Sequence, residues 1–151
     1  MRTTQLNATC WHLEWFERMP ERLVLEQQVM QDRFPQFQLL RDGLMLYWIG
    51  KLTTNRGNVY QLVVKYLPSF PNDPPQAYPI DPAIAVYKSG WSGALKHQYA
   101  DGRLCLYYPA DRTLTRETTA ATVVAMAAAW LFAYESWLQS GKTDWPGNEY
   151  D

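Results

Sequence analysis

Residues 37–67 read FQLLRDGLMLYWIGKLTTNRGNVYQLVVKYL, three apolar, β-rich runs cut by two turn sequences. Asp42-Gly43 is a strong hairpin turn, because Gly tolerates the positive φ that a tight antiparallel connection needs. Asn55-Arg56-Gly57-Asn58 is a second turn of the same chemistry. Between them the sequence predicts strands over Phe37–Arg41, Leu44–Leu52 and Val59–Leu67. On the third, Tyr60, Leu62, Val64 and Tyr66 fall on one face and Gln61 and Lys65 on the other, a period of two. Three strands joined by tight turns make an antiparallel meander.

Outward from the meander the pattern changes on both sides. Upstream, PERLVLEQQVMQDRF predicts a helix from Pro20 to Phe34, with proline suited to its first turn and Pro35 ending it. Downstream, LPSFPNDPPQAYPIDP (67–82) carries six prolines, so it can be neither helix nor central strand. Its Phe70, Tyr78 and Ile80 are expected to pin it to the domain. A short fourth strand is expected over Ala83–Tyr87, then an irregular stretch over 88–116, a loop length usually tied to function. A long helix is predicted from Thr118 to Gln139, stopped by Gly141. Helix, meander, irregular segment and closing helix define an α+β domain.

The chain has 151 residues, with 47% hydrophobic and 19% charged, which argues for one folded domain and against disorder. Lys+Arg is 14 against 15 Asp+Glu, a net charge of −1, so no basic excess draws nucleic acid. Two cysteines, Cys10 and Cys105, are too few for a disulfide framework and fit a reducing compartment. Cys10 and His12 flank Trp11, but two ligands do not make a metal site. No cofactor motif is present. The N-terminal residues lack the apolar run of a secretory signal. Glu117 to Glu135 holds no charge between its ends, which just reaches the length needed to cross a bilayer. Its Ala-rich composition and the helical recurrence of Val123, Ala127, Trp130, Tyr134 and Trp137 predict a core helix instead, with no membrane partner. Trp11, Trp15 and Phe16 are expected to pack on the domain or to form a partner surface.

The chemistry-bearing residues lie in HQYADGRLCLYYP, His97 to Pro109. A nucleophilic cysteine needs exposure and a lowered thiol pKa or a nearby base. His97 and Arg103 could supply that field to Cys105, and a small buried cysteine between Leu104 and Leu106 is the alternative. His97 could exchange a proton near neutral pH or simply cap loop backbone. Asp101 could lower an incoming amine's pKa, while Asp-Gly is first of all a turn signal.

The order of elements and these motifs resemble the ubiquitin-conjugating enzyme family and its bacterial relatives. Tyr66-Leu67-Pro68-Ser69-Phe70-Pro71 with Pro74-Pro75 looks like the family's proline-rich crossover, and Gly102-Arg103-Leu104-Cys105-Leu106 like its cysteine motif. Asp101 to Tyr107, the helix signature from Trp130-Leu131 through Tyr134-Glu135 to Trp137, and Trp145-Pro146-Gly147-Asn148-Glu149 look like members attached to antiphage CBASS operons. The resemblance covers roughly residues 20–150 and implies a UBC-like fold. There is one departure. Eukaryotic members carry His-Pro-Asn before the cysteine, and here His97-Gln98-Tyr99 stands there, with no asparagine in 88–116. The Tyr99 hydroxyl or backbone N–H groups could take over the missing oxyanion donor.

The activity implied by the resemblance is acyl transfer through a thioester on Cys105, with His97, Tyr99 and Asp101 as helpers. The implied substrate is a partner protein with an activated C-terminus, a nucleotidyltransferase of the operon, in the cytoplasm, with a homodimer also open. A Cys–His hydrolase that releases such conjugates and a non-catalytic binding module on the same fold are the other readings.

Overall fold

The computed structural model describes residues 13–84, 97–106 and 114–146. Two short stretches of helix open it, α1 (Trp15–Arg18) and α2 (Pro20–Arg33). Four strands follow, β1 (Gln38–Asp42), β2 (Met45–Thr53), β3 (Val59–Lys65) and β4 (Gln76–Asp81), and the chain closes with the 20-residue α3 (Ala120–Gln139). The sheet is antiparallel throughout, in the order β1-β2-β3-β4. This is the α+β, UBC-like arrangement that the sequence implied.

The meander forms where the turn residues demand it, with Gly43 at φ +61° and Gly57 at φ +86°. Alternation then sends Leu46, Trp48 and Leu52 of β2, and Tyr60, Leu62 and Val64 of β3, into the core. Gly50 breaks this series of side chains for a packing reason. A Cβ there would sit 2.5 Å from the Phe37 ring, so the ring lies directly on the strand backbone. α3 covers the same face, burying Val123, Val124, Ala127, Trp130, Leu131, Tyr134 and Trp137. It is long and apolar enough to cross a membrane, but 56% of its most apolar window is buried inside the fold, as in a core helix.

The fourth strand is not where the sequence placed it. Ala83 and Ile84 lie outside any strand, and residues 85–87 of the expected Ala83–Tyr87 strand lie outside the described residues. β4 instead runs through the proline-rich segment, with Pro79 opposite Leu62 of β3. The rule that proline avoids sheets binds only central strands, and β4 is the last strand of the sheet, so the missing N–H of Pro79 leaves no ladder bond broken. Phe70 pins this segment as expected, 1% exposed and packed on Trp15 and Tyr66 at 4.6 and 4.7 Å, whereas Ile80 is exposed. Trp15 and Phe16 are core residues. Trp11, like Cys10 and His12, lies outside the described residues.

Two buried carboxylates fasten α3 to the rest. Glu26 of α2, 1% exposed, accepts from the Tyr66 hydroxyl (2.7 Å), the Arg22 Nε (3.2 Å) and the Ala120 backbone N–H (2.8 Å). It thereby satisfies a donor at the first turn of α3, where negative charge is also favoured by the helix dipole. Arg22 reaches on to the carbonyls of Arg116 and Thr118 at 2.7 and 3.0 Å. Glu135, in the second half of α3, accepts from Asn58 Nδ2 (2.7 Å), Tyr60 OH (2.9 Å) and Thr54 Oγ1 (3.2 Å), tying the β2–β3 turn to the helix.

Candidate active site

His97 and Cys105 are eight residues apart in sequence and adjacent in space. The chain between them folds into a small hairpin: Gln98 and Leu104 form an antiparallel bridge, and the Cys105 N–H donates to the His97 carbonyl at 2.9 Å. Asp101-Gly102 makes the reversal. The Gly102 N–H donates to the Tyr99 carbonyl at 2.9 Å, and Gly102 sits at φ +95°, which disfavours any side chain there. The Asp101 carboxylate accepts from the Arg103 backbone N–H at 3.2 Å, the local side-chain bond that makes Asp-Gly a turn signal.

The hairpin docks on two elements. Its Leu104 N–H donates to the Ala77 carbonyl of β4 at 2.9 Å, continuing the sheet outward for one bond. On the other side the Trp130 indole N–H of α3 donates to the His97 carbonyl at 2.7 Å. Gln98, buried and uncharged, braces the hairpin from within through its Nε2, which donates to the carbonyls of Ile84 (3.2 Å) and Gly102 (3.0 Å).

A groove of about 360 Å³ opens along α3 beside this hairpin. Cys105 and His97 line it together with Met126, Trp130, Phe132 and Trp145. Cys105 is half-buried, while Leu104 before it is in the core at 4% exposed. The thiol is thus at a surface, between the exposed nucleophile and the inert core cysteine that the sequence left open. Among the described residues Cys105 is in no disulfide. His97 is 4% exposed, its ring stacked on Trp145 at 4.6 Å and 9° between planes.

The four residues singled out in the sequence therefore separate into two pairs. His97 and Cys105 share the groove. Tyr99 and Asp101 sit at the turn end of the hairpin and are not among its described lining residues. The Arg103 guanidinium lies 4.0 Å over the Tyr99 ring, and Asp101 is exposed, receiving the Tyr78 hydroxyl at 3.3 Å. The Cys105 backbone N–H is already engaged by the His97 carbonyl, so it is not an oxyanion donor in this arrangement. Sequence reasoning placed Trp130 in the core, which it is, but missed its grip on the His97 carbonyl. The available signal was its N–H, which a buried indole must give to some acceptor. Trp145 was read only as part of a tail signature. Among the described residues no cluster of three His, Cys, Asp or Glu side chains is placed to hold a metal.

A family model described as Type II CBASS E2 protein matches residues 26–151. The chain belongs to this family. The match takes in both carboxylate anchors, the hairpin with Cys105 and the whole of α3. As a CBASS E2 protein the chain is an E2-like component of an antiphage system, and that context implies a protein partner from the same operon. No curated protein and no solved structure matches the chain.

Proposed function

We propose that this E2 protein carries an acyl group as a thioester on Cys105 and passes it on, with the C-terminus of a CBASS nucleotidyltransferase as the donor. The observation that carries the reading is the pairing of a half-buried thiol and an imidazole in one groove, on two strands of a hairpin joined by the Cys105 N–H to His97 carbonyl bond.

The donor carboxyl arrives activated, as an adenylate or a thioester, because a free carboxylate is not attacked by a thiol. The Cys105 sulfur forms a C–S bond to that carbonyl while the C–O bond to AMP, or the C–S bond to the donor thiol, breaks. The thiol proton passes to His97, the side chain best poised to take it near neutral pH. In the second step an amine forms a C–N bond to the same carbonyl, the C–S bond breaks, and the thiolate regains a proton. Asp101, exposed at the end of the hairpin, is a place for the amine's proton, and the Tyr99 hydroxyl is the candidate oxyanion donor. The cytoplasm is the compartment in which such a thiol stays reduced.

The same Cys–His pair also suits hydrolysis, with water in place of the amine, so one experiment addresses both. Wild type, Cys105→Ser and Cys10→Ser are expressed with the neighbouring operon proteins, purified without reductant and weighed intact. An adduct on wild type and Cys10→Ser that thiols remove, replaced on Cys105→Ser by one labile to hydroxylamine, is the expected result and names the donor. Free donor carboxylate accumulating with no amide product points to the hydrolase. No adduct on any form, with tight binding of a neighbour retained, points to a binding module and overturns the reading.

A further inference from the structure

Trp145 lies 40 residues beyond Cys105 in sequence, yet it forms one wall of the groove that holds Cys105 and His97. The chain is brought back by an organised reversal after α3. The Ser140 hydroxyl donates to the Trp137 carbonyl at 2.7 Å and accepts the N–H groups of Thr143 and Asp144 at 3.2 and 3.0 Å. Gly141 and Lys142 both take positive φ, +79° and +68°, and the Lys142 N–H returns to the Trp137 carbonyl at 2.9 Å. The product of this turn is an indole held edge-on by Trp130 at 5.2 Å and laid flat on the His97 imidazole.

The two halves of His97 are therefore fixed from different directions. Its carbonyl is gripped by Trp130 and by Cys105, and its ring by Trp145. An offset stack on an indole face also favours a ring that becomes cationic. Among the described groove residues the only other ionisable side chain is Cys105 itself, so no charged group of the groove competes for this role. On α3 Glu135 faces the β2–β3 turn, at the hairpin end Asp101 and Arg103 pair with each other, and Asp144 of the tail is exposed.

We propose that Trp145 is a positioning residue for His97: its indole face holds the imidazole beside Cys105 as the proton acceptor for the thiol, so the tail after α3 is part of the reactive site. This deepens the thioester reading and rests on it, but it is tested on the thiol alone, so that a failure of acyl transfer and a failure of this inference are told apart. The readout is the rate of Cys105 alkylation by iodoacetamide across pH in a Cys10→Ser background, since the thiolate is the species that reacts. His97→Gln is expected to slow alkylation near neutral pH by about three-fold or more and to change the shape of the pH profile. Trp145→Leu, which keeps apolar volume but no ring face, is expected to behave as His97→Gln does, and Trp145→Phe as wild type. Adding Trp145→Leu to His97→Gln should slow the reaction no further. A Leu variant that alkylates like wild type, or one that slows the His97→Gln protein by the same factor as the parent, makes Trp145 mere packing and overturns the proposal. So does a His97→Gln protein whose profile matches wild type, whatever the adduct experiment shows for acyl transfer.

Discussion

The two ends of α3 are held in a different way from the hairpin that α3 shelters. At Glu26 and Glu135 buried carboxylates collect three donors each, from residues as far apart as Arg22, Tyr66 and Ala120. The 97–106 hairpin is held by backbone bonds, one amide side chain and stacked rings. Burying charge is costly unless it is paired and hydrogen-bonded, so these anchors depend on the donors around them. Main-chain bonds and ring contacts hold the hairpin's shape without a buried carboxylate among its supports. The scaffold is fixed by its buried carboxylates, and the hairpin by its backbone and its rings.

The largest test of that contrast is Glu26→Ala. It leaves the Tyr66 hydroxyl and the Ala120 N–H buried without that acceptor and removes the ion-pair partner of Arg22, which keeps the carbonyls of Arg116 and Thr118, and should cost about 3–5 kcal/mol of stability, read as a fall in the urea midpoint. Glu135→Ala strands Tyr60 but lets the exposed Asn58, and the exposed Arg56 whose guanidinium lies 3.8 Å from the carboxylate, turn to water, so about 1–3 kcal/mol is expected. A loss at Glu135 equal to that at Glu26 would mean burial of the donors is not what separates them.

The same anchors set an alkaline limit. Burial, and then the hydrogen bond and charge of Glu135, push the Tyr60 hydroxyl up from 10.0 to about 12. Burial and then the charge of Glu26 push Tyr66 well above its ordinary value. Both hydroxyls hold their proton longer folded than unfolded. Their contribution is thus complete below pH 10 and lost as pH rises through the folded values, from 10 to about 12 for Tyr60. Stability measured by urea unfolding should fall steadily over that window, and less steeply in Glu135→Gln. A flat profile would show that the two tyrosines ionise freely.

Much of this was legible in the chain and some was not, for identifiable reasons. The meander was readable because turn glycines and period-two alternation are local signals. So was α3, whose apolar recurrence ends at Gly141. β4 was misplaced because six prolines masked a strand whose position at the sheet edge, not its composition, makes proline tolerable. α1 was missed because four residues carry no periodicity, although Glu14 and Glu17, which bond each other at 3.0 Å, are a helix-start signal. Within the site, Cys105 and His97 were legible as residue types. Their adjacency does not follow from a spacing of eight alone; it needs the Asp101-Gly102 turn to fold the segment on itself. Trp145 was invisible as a groove residue because its contact depends on a reversal made by Ser140 and two positive-φ residues.

Within the hairpin the expected effects are smaller and local. Gly102→Ala meets open space at its Cβ, so its cost is the backbone's alone, about 1 kcal/mol at φ +95°. It should appear as faster amide exchange at Leu104 and Cys105 while the urea midpoint shifts little. A fall like that of Glu26→Ala would mean the hairpin is part of the global fold.

Asp101→Asn should move stability least, by no more than about 0.5 kcal/mol, since asparagine can still accept the Arg103 N–H and the Tyr78 hydroxyl. Any consequence must then be chemical. If the carboxylate takes the amine's proton, discharge of the Cys105 thioester to an amine should slow several-fold in single turnover while formation of the thioester is unchanged. The expectation that Asp101 lowers an incoming amine's pKa has the wrong sign: a neighbouring carboxylate favours the charged ammonium and holds the pKa up, so the gain can come only from proton acceptance. Equal discharge by Asp101→Asn and wild type would leave Asp101 with the turn alone. It would also extend the contrast to the whole hairpin, with His97 and Cys105 reactive and Tyr99 to Arg103 serving only to bring them together.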